Sequence, residues 1–232
     1  MLSHLSQLVA VELHDAVVGD VVLSIEDRSV EVSVKLPDSG ESQGELHRSC
    51  LFKEVGNCLV RLDFSALAEE SWAGNVQNCR LDVDAGVARF YLAGGLIECS
   101  SRSLALGDKG ALASLNVGEG CAALPDSLTG LGELDFDESQ LLKMTMSPGS
   151  CSCHVIVMVR GRSKAAPRVQ ARITFHDVSS CLATVAMSSL SSQDECGNIQ
   201  SCQVDSNRGI VRLYLRDGFI EVVAKSVALT HR

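Results

Sequence analysis

Gly74-Asn75-Val76-Gln77-Asn78-Cys79 recurs 123 residues later as Gly197-Asn198-Ile199-Gln200-Ser201-Cys202. At the same offset Arg89-Phe90-Tyr91-Leu92 returns as Arg212-Leu213-Tyr214-Leu215, and Gly95-Leu96-Ile97-Glu98 as Gly218-Phe219-Ile220-Glu221. Between Phe52 and Leu106, 21 of 55 positions are identical to their counterparts without a gap, too many for chance. The match extends back more weakly, pairing Val32 and Val34 with Val155 and Val157. The chain is a tandem duplication of a unit of about 95 residues, large enough to hold a core of its own, unlike a solenoid repeat.

Inside each copy the hydrophobic period is two. Ser29-Val30-Glu31-Val32-Ser33-Val34-Lys35-Leu36 alternates as a strand with one buried face does. The pairs Gly94-Gly95 and Asp217-Gly218 stand between apolar runs at hairpin spacing. Strands are expected near 17–25, 29–36, 48–54, 58–64, 75–83, 87–92 and 96–104. In the second copy they are expected near 140–146, 152–159, 168–175, 181–187, 198–205, 210–215 and 219–228. This pattern predicts a mainly β chain of two tandem homologous, antiparallel β-sandwich-like domains, over residues 1–106 and 137–232. Residues 107–136, rich in glycine, read as a linker or long loop with apolar side chains that pack onto a domain. Leu2 to Leu13 reads as a short N-terminal helix with Ser3 as its cap.

The 232 residues carry 20 Lys and Arg against 29 Asp and Glu, a formal charge of −9. With a pI near 5.1, this argues against a general nucleic-acid binder. No apolar run approaches the roughly 20 residues of a membrane-spanning helix, and the start lacks a basic secretory n-region, so a cytoplasmic location is expected. The ten cysteines lie largely in apolar, strand-like runs and read as buried free thiols.

Few constellations suggest chemistry. His14-Asp15 and His176-Asp177 resemble metal-phosphohydrolase dipeptides, but they occupy different places in the repeat and fit turn chemistry better. Cys151-Ser152-Cys153-His154 resembles part of a zinc site that Cys181, Cys196 and Cys202 would complete. It is private to copy two, and core or edge thiols are the plainer reading. There is no nucleophile elbow, phosphate loop or dinucleotide fingerprint. The repeated Gly-Asn-(Val/Ile)-Gln needs only a glycine kink and an asparagine that bonds nearby backbone. No cofactor is implied.

The opening Leu13-His14-Asp15-Ala16 with Val21-Val22-Leu23-Ser24-Ile25, then Phe52-Lys53-Glu54-Val55, Asn75-Val76 and the strand pair from Val87 to Ser101, resembles bacterial immunity proteins of polymorphic toxin systems. The likeness is in particular to immunity protein family fifty and its relatives, over about 90 residues of copy one. Copy two lacks the His-Asp-Ala opening, and the tandem arrangement departs from the single-domain form. The resemblance implies a non-enzymatic protein that neutralises a cognate toxin by binding it, without a catalytic set to carry over. An acidic binder suits a basic toxin. Two other readings stay open: a metal-dependent hydrolase built on the copy-two Cys/His cluster, and a β-module that self-associates, as a homodimer for example, through edge strands. A surface that meets one asymmetric partner should lie where the copies differ. Asp63 faces Ala186, Glu69-Glu70 face Ser192-Gln193 and Trp72 faces Glu195. Asp63, Glu69, Glu70 and Trp72, with Asp82 and Asp84 as acidic surround, are therefore the expected partner contacts.

Overall fold

The computed structural model describes residues 13–36, 46–69, 75–82, 84–108, 136, 139–160, 168–191 and 198–231. The expected helix over Leu2 to Leu13 and most of the 107–136 segment lie outside them. Copy one forms β1 (Val17–Ser24), β2 (Ser29–Leu36), β3 (Leu46–Lys53), β4 (Asn57–Asp63), β5 (Val76–Asp82), β6 (Val87–Leu92), β7 (Gly95–Ser100) and β8 (Ser103–Asp108). Copy two forms β9 (Gln140–Ser147), β10 (Ser152–Arg160), β11 (Arg168–His176), β12 (Ser180–Ala186), β13 (Ile199–Asp205), β14 (Ile210–Leu215), β15 (Gly218–Val223) and β16 (Ser226–His231). Short helices α1 (Phe64–Glu69) and α2 (Met187–Leu190) follow β4 and β12.

The strands make two antiparallel sheets, ordered β16-β11-β10-β9-β1-β2-β3-β8 (sheet A) and β13-β14-β15-β12-β4-β7-β6-β5 (sheet B). Alternation drives the inner faces together. Val30, Val32 and Val34 of β2 are buried, as are Val155 and Val157 of β10. Phe52 from sheet A meets Phe90 from sheet B edge to face, centroids 6.0 Å apart. The fold is thus the antiparallel β-sandwich that the alternation predicts.

The copies do not close separate sandwiches. Each sheet takes four strands from each copy, joined at β1–β9 and β4–β12. In the first junction Val22 stands opposite Thr145, and in the second Val60 stands opposite Ala183. Both pairs are equivalent positions of the repeat, so one pseudo-twofold axis passes through both sheets, as in an isologous dimer. The buried apolar side chains of the two copies form a single cluster. Residues 107–136 therefore separate repeats and not sheets. Alternation alone could not show this, because it fixes the buried face of a strand and not its neighbours.

Two local details differ from expectation. The strands expected over 96–104 and 219–228 each break in two. β7 lies in sheet B and β8 in sheet A, and β15 and β16 cross in the same way. Ser101, at the first crossing, donates its hydroxyl toward the Lys53 and Ser103 carbonyls. The hairpin turns fall one residue earlier than the glycine pairs suggest, at Ala93-Gly94 and Arg216-Asp217, since Leu92 pairs with Gly95 and Leu215 with Gly218. Gly95 and Gly218 are kept for close approach: a Cβ would lie 1.9 Å from the Arg61 carbonyl oxygen and 2.0 Å from that of Thr184.

The repeated asparagines clasp the two sheets. Buried Asn75, leading into β5, accepts the Val18 N–H of β1 on Oδ1 at 2.7 Å, while its own N–H donates to the Ala16 carbonyl. Asn198 repeats the arrangement on Leu141, also at 2.7 Å, and on Ser139. The bonded backbone is 57 residues away in each copy, so the motif is a long-range clasp and not a local turn. Asn75→Ala leaves the buried Val18 N–H without its acceptor and is expected to cost about 1–3 kcal/mol, with Asn198→Ala costing a similar amount. Urea unfolding midpoints of the two variants check this; an unchanged midpoint contradicts it.

Candidate functional site

The acidic residues do not gather in one place. Asp63 ends β4 and accepts the Ala66 N–H on Oδ1 at 3.0 Å, capping α1, whose Phe64 and Leu67 are buried. Glu69 closes that helix and is exposed; Glu70 and Trp72 lie outside the described residues. Asp82 and Asp84 sit on the β5–β6 hairpin, where Asp82 accepts the Ala85 N–H at 2.9 Å. Leu62, beside Asp63, pairs with Gly95 at one end of β7, whereas Asp82 pairs with Val87, which pairs with Ser100 at the other. Strands of six residues separate the two acidic ends by about 20 Å. Asp82 and Asp84 therefore do not surround the Asp63–Glu69 end. A signal was available: Asp205 repeats Asp82 in sequence and accepts the Arg208 N–H in the matching turn.

The copy-two Cys/His run is dispersed. Cys151 is not on a strand; it occupies the left-handed region at φ 47° in the turn before β10, and its thiol points to the Pro148 carbonyl at 3.6 Å. Cys153 faces the core and contacts Cys181 across the sheets. His154, one residue on, is half-buried on the outer face, with Nδ1 3.2 Å from Thr174 Oγ1. The pleat alone sends adjacent residues to opposite faces. Cys202 is half-buried in edge strand β13, and Cys196 lies outside the described residues. Among the described residues, no three His, Cys, Asp or Glu side chains are placed to share a metal ion. His14 and Asp15 form an exposed pair at 2.9 Å, and Asp15 and Asp177 both adopt positive φ, as turn residues do.

Polar pairs that both copies keep support the outer face of sheet B. Arg89 is ion-paired to Glu98 directly opposite, and Arg212 to Glu221 at 2.6 Å. The Arg80 guanidinium lies 5.7 Å from the centre of the Tyr91 ring, while Tyr214 donates to Gln203 at 3.3 Å.

The outer face of sheet A behaves differently, and its charge was missed when the chain was read one strand at a time. Asp20, Glu31 and Ser49 of copy one correspond to Lys143, His154 and Arg172 of copy two. Where the copies meet, a hollow of about 330 Å³ opens beside the β1 bulge, bordered by Asp20, Lys35 and His47 of copy one and Ser147 of copy two. Ser33 closes its floor, accepting the Asp20 N–H and donating to the Asp20 carbonyl. On the copy-two side, burial holds the His154 pKa below its ordinary value. Arg172 and then His176 add to that shift, and Asp20 opposes it.

The cysteines are core-builders. Cys50, Cys58, Cys99, Cys153 and Cys181 are buried, and the Cys58 and Cys99 sulfurs are 3.5 Å apart. Burial pushes the Cys50 thiol up to about 12 and those of Cys79 and Cys202 to about 11. A raised folded-state pKa holds the proton that the unfolded chain releases, so stability present below pH 9 is lost as pH rises through that range. The urea midpoint is therefore expected to fall between pH 9 and 11, and Cys50→Val should reduce that slope. An identical pH dependence in the variant contradicts it.

No protein-family model matches the chain, and neither a curated protein nor a solved structure matches it.

Proposed function

We propose that the chain is a non-enzymatic binding protein that neutralises a basic toxin by direct contact in the cytoplasm, without a cofactor. The observation that carries this reading is where the copies spend their polar residues. Among those kept in both, Asn75 and Asn198, the two Arg–Glu pairs, and Asp82 and Asp205 bond within the fold. What remains for an asymmetric partner is the solvent side where the copies diverge. The Asp63–Glu69 segment of copy one has a carboxylate at each end, whereas the matching Ala186–Ser192 stretch of sequence has none. A net charge of −9 speeds encounter with a basic partner. The sequence resemblance to toxin-neutralising immunity proteins points the same way.

Co-expression with the product of the adjacent gene tests the reading. Restored growth and a stable co-eluting complex are expected, while undiminished toxicity contradicts it. Charge reversal of Glu69 and Glu70 together with Trp72→Ala should weaken the complex by at least about 2 kcal/mol, the scale of an interface hot spot, with the unfolding midpoint unchanged. Normal binding by that folded triple variant removes this end of copy one as the contact.

A further inference from the structure

We propose that the outer face of β9, β10 and β11 docks a carboxylate-rich protein segment. This surface is distinct from the Asp63–Glu69 end and does not rest on the toxin reading. β9, β10, β11 and β16 are adjacent in sheet A, and not one of them contains Asp or Glu. That is a strong local departure in a chain with 29 acidic residues.

The register arranges the cations. Ile156 pairs with Lys143 on one side and Arg172 on the other, so Lys143 and Arg172 flank it in one row, about 10 Å apart. His154 lies one pleat along, between Thr145 and Thr174. His176 and Arg168 continue the same face along β11. Ile156 is only 6% exposed although it points away from the core, because its neighbours cover it. Arg172 Nε is buried and, among the described residues, has no hydrogen-bond partner.

Comparison of the copies gives the second argument. On sheet B several outer residues are kept, as in Leu59 and Leu182, Tyr91 and Tyr214, Arg89 and Arg212, or Glu98 and Glu221, while others such as Arg61 and Thr184 or Asp63 and Ala186 differ. On sheet A the change reverses charge: the two outward carboxylates of copy one, Asp20 and Glu31, are a lysine and a histidine in copy two, although Ser24 and Ser29 are kept as Ser147 and Ser152. Fold requirements common to both copies do not ask for that reversal. A protein segment fits better than a nucleic acid. Among the described residues these strands present no Phe, Tyr or Trp outward for base stacking, only the imidazoles of His154 and His176, Phe175 being buried in the core.

The test uses the full chain and a fluorescein-labelled deca-glutamate peptide, with a ten-nucleotide oligothymidylate in parallel, both at low ionic strength. The double variant Lys143→Asp with His154→Glu carries acidic residues at the places where copy one has them, which favours an intact fold; circular dichroism and the urea midpoint confirm it. A control, Arg61→Asp with Thr184→Glu, makes the same charge change on the exposed outer face of sheet B. The expected result is peptide binding weakened at least tenfold by the first variant and less than threefold by the control. Arg172→Ser, the copy-one residue, should also weaken it. The proposal is overturned by absent peptide binding to the natural chain, by equal losses in variant and control, or by oligothymidylate binding tighter than the peptide.

Discussion

The pairing of equivalent strands across the pseudo-twofold axis is the constraint on which the rest of the structure depends. Alone, one copy would expose β1 and β4 as open edges, each a row of unpaired backbone donors and acceptors. In the chain, β1 is covered by β9 and β4 by β12, with Val22 against Thr145 and Val60 against Ala183 at the centre of each junction. The same operation therefore satisfies both sheets, and the core between them becomes continuous. The axis also halves the architectural problem: a side chain that works beside it in one copy meets its own equivalent in the other.

The polar residues divide according to that symmetry. Those that hold the sheets together are duplicated, as in the asparagine clasps on Val18 and Leu141 and the cross-strand Arg–Glu pairs. On the outer face of sheet A the copies part in charge, from Asp20 and Glu31 to Lys143 and His154, and at the end of β4 from Asp63 to Ala186. A duplicated fold whose shared polar residues hold the sheets and whose outward charges differ is a symmetric scaffold carrying an asymmetric surface.

Much of the fold was legible in the sequence. The period-two runs mark their strands to within one or two residues, as at 29–36 and 87–92, because alternation is the direct imprint of a half-buried pleat. The gapless repeat implied equivalent folds. What alternation cannot encode is which strands are neighbours, so the joining of the copies emerged only in three dimensions. Gly95 and Gly218 misled for a related reason: their glycine serves a carbonyl on a distant strand, and local turn rules cannot see it. The site was less legible. Asp63 and Asp82 read as one acidic surround but lie at opposite ends of β4–β7–β6–β5, and Cys153 and His154 read as a cluster but face opposite ways. The cationic face needed the order of sheet A, since its charges come from strands that are modest in themselves and unusual only side by side.

Hydrogen exchange on the full chain, followed by mass spectrometry across increasing urea, tests most directly whether the two copies are one sandwich. If the junctions govern the fold, segments 17–24 and 57–63 of copy one and 140–147 and 180–186 of copy two lose protection together, with the same opening free energy and urea dependence. Protection retained in one copy's segments while the other's are already open would show two independent units and contradict the account.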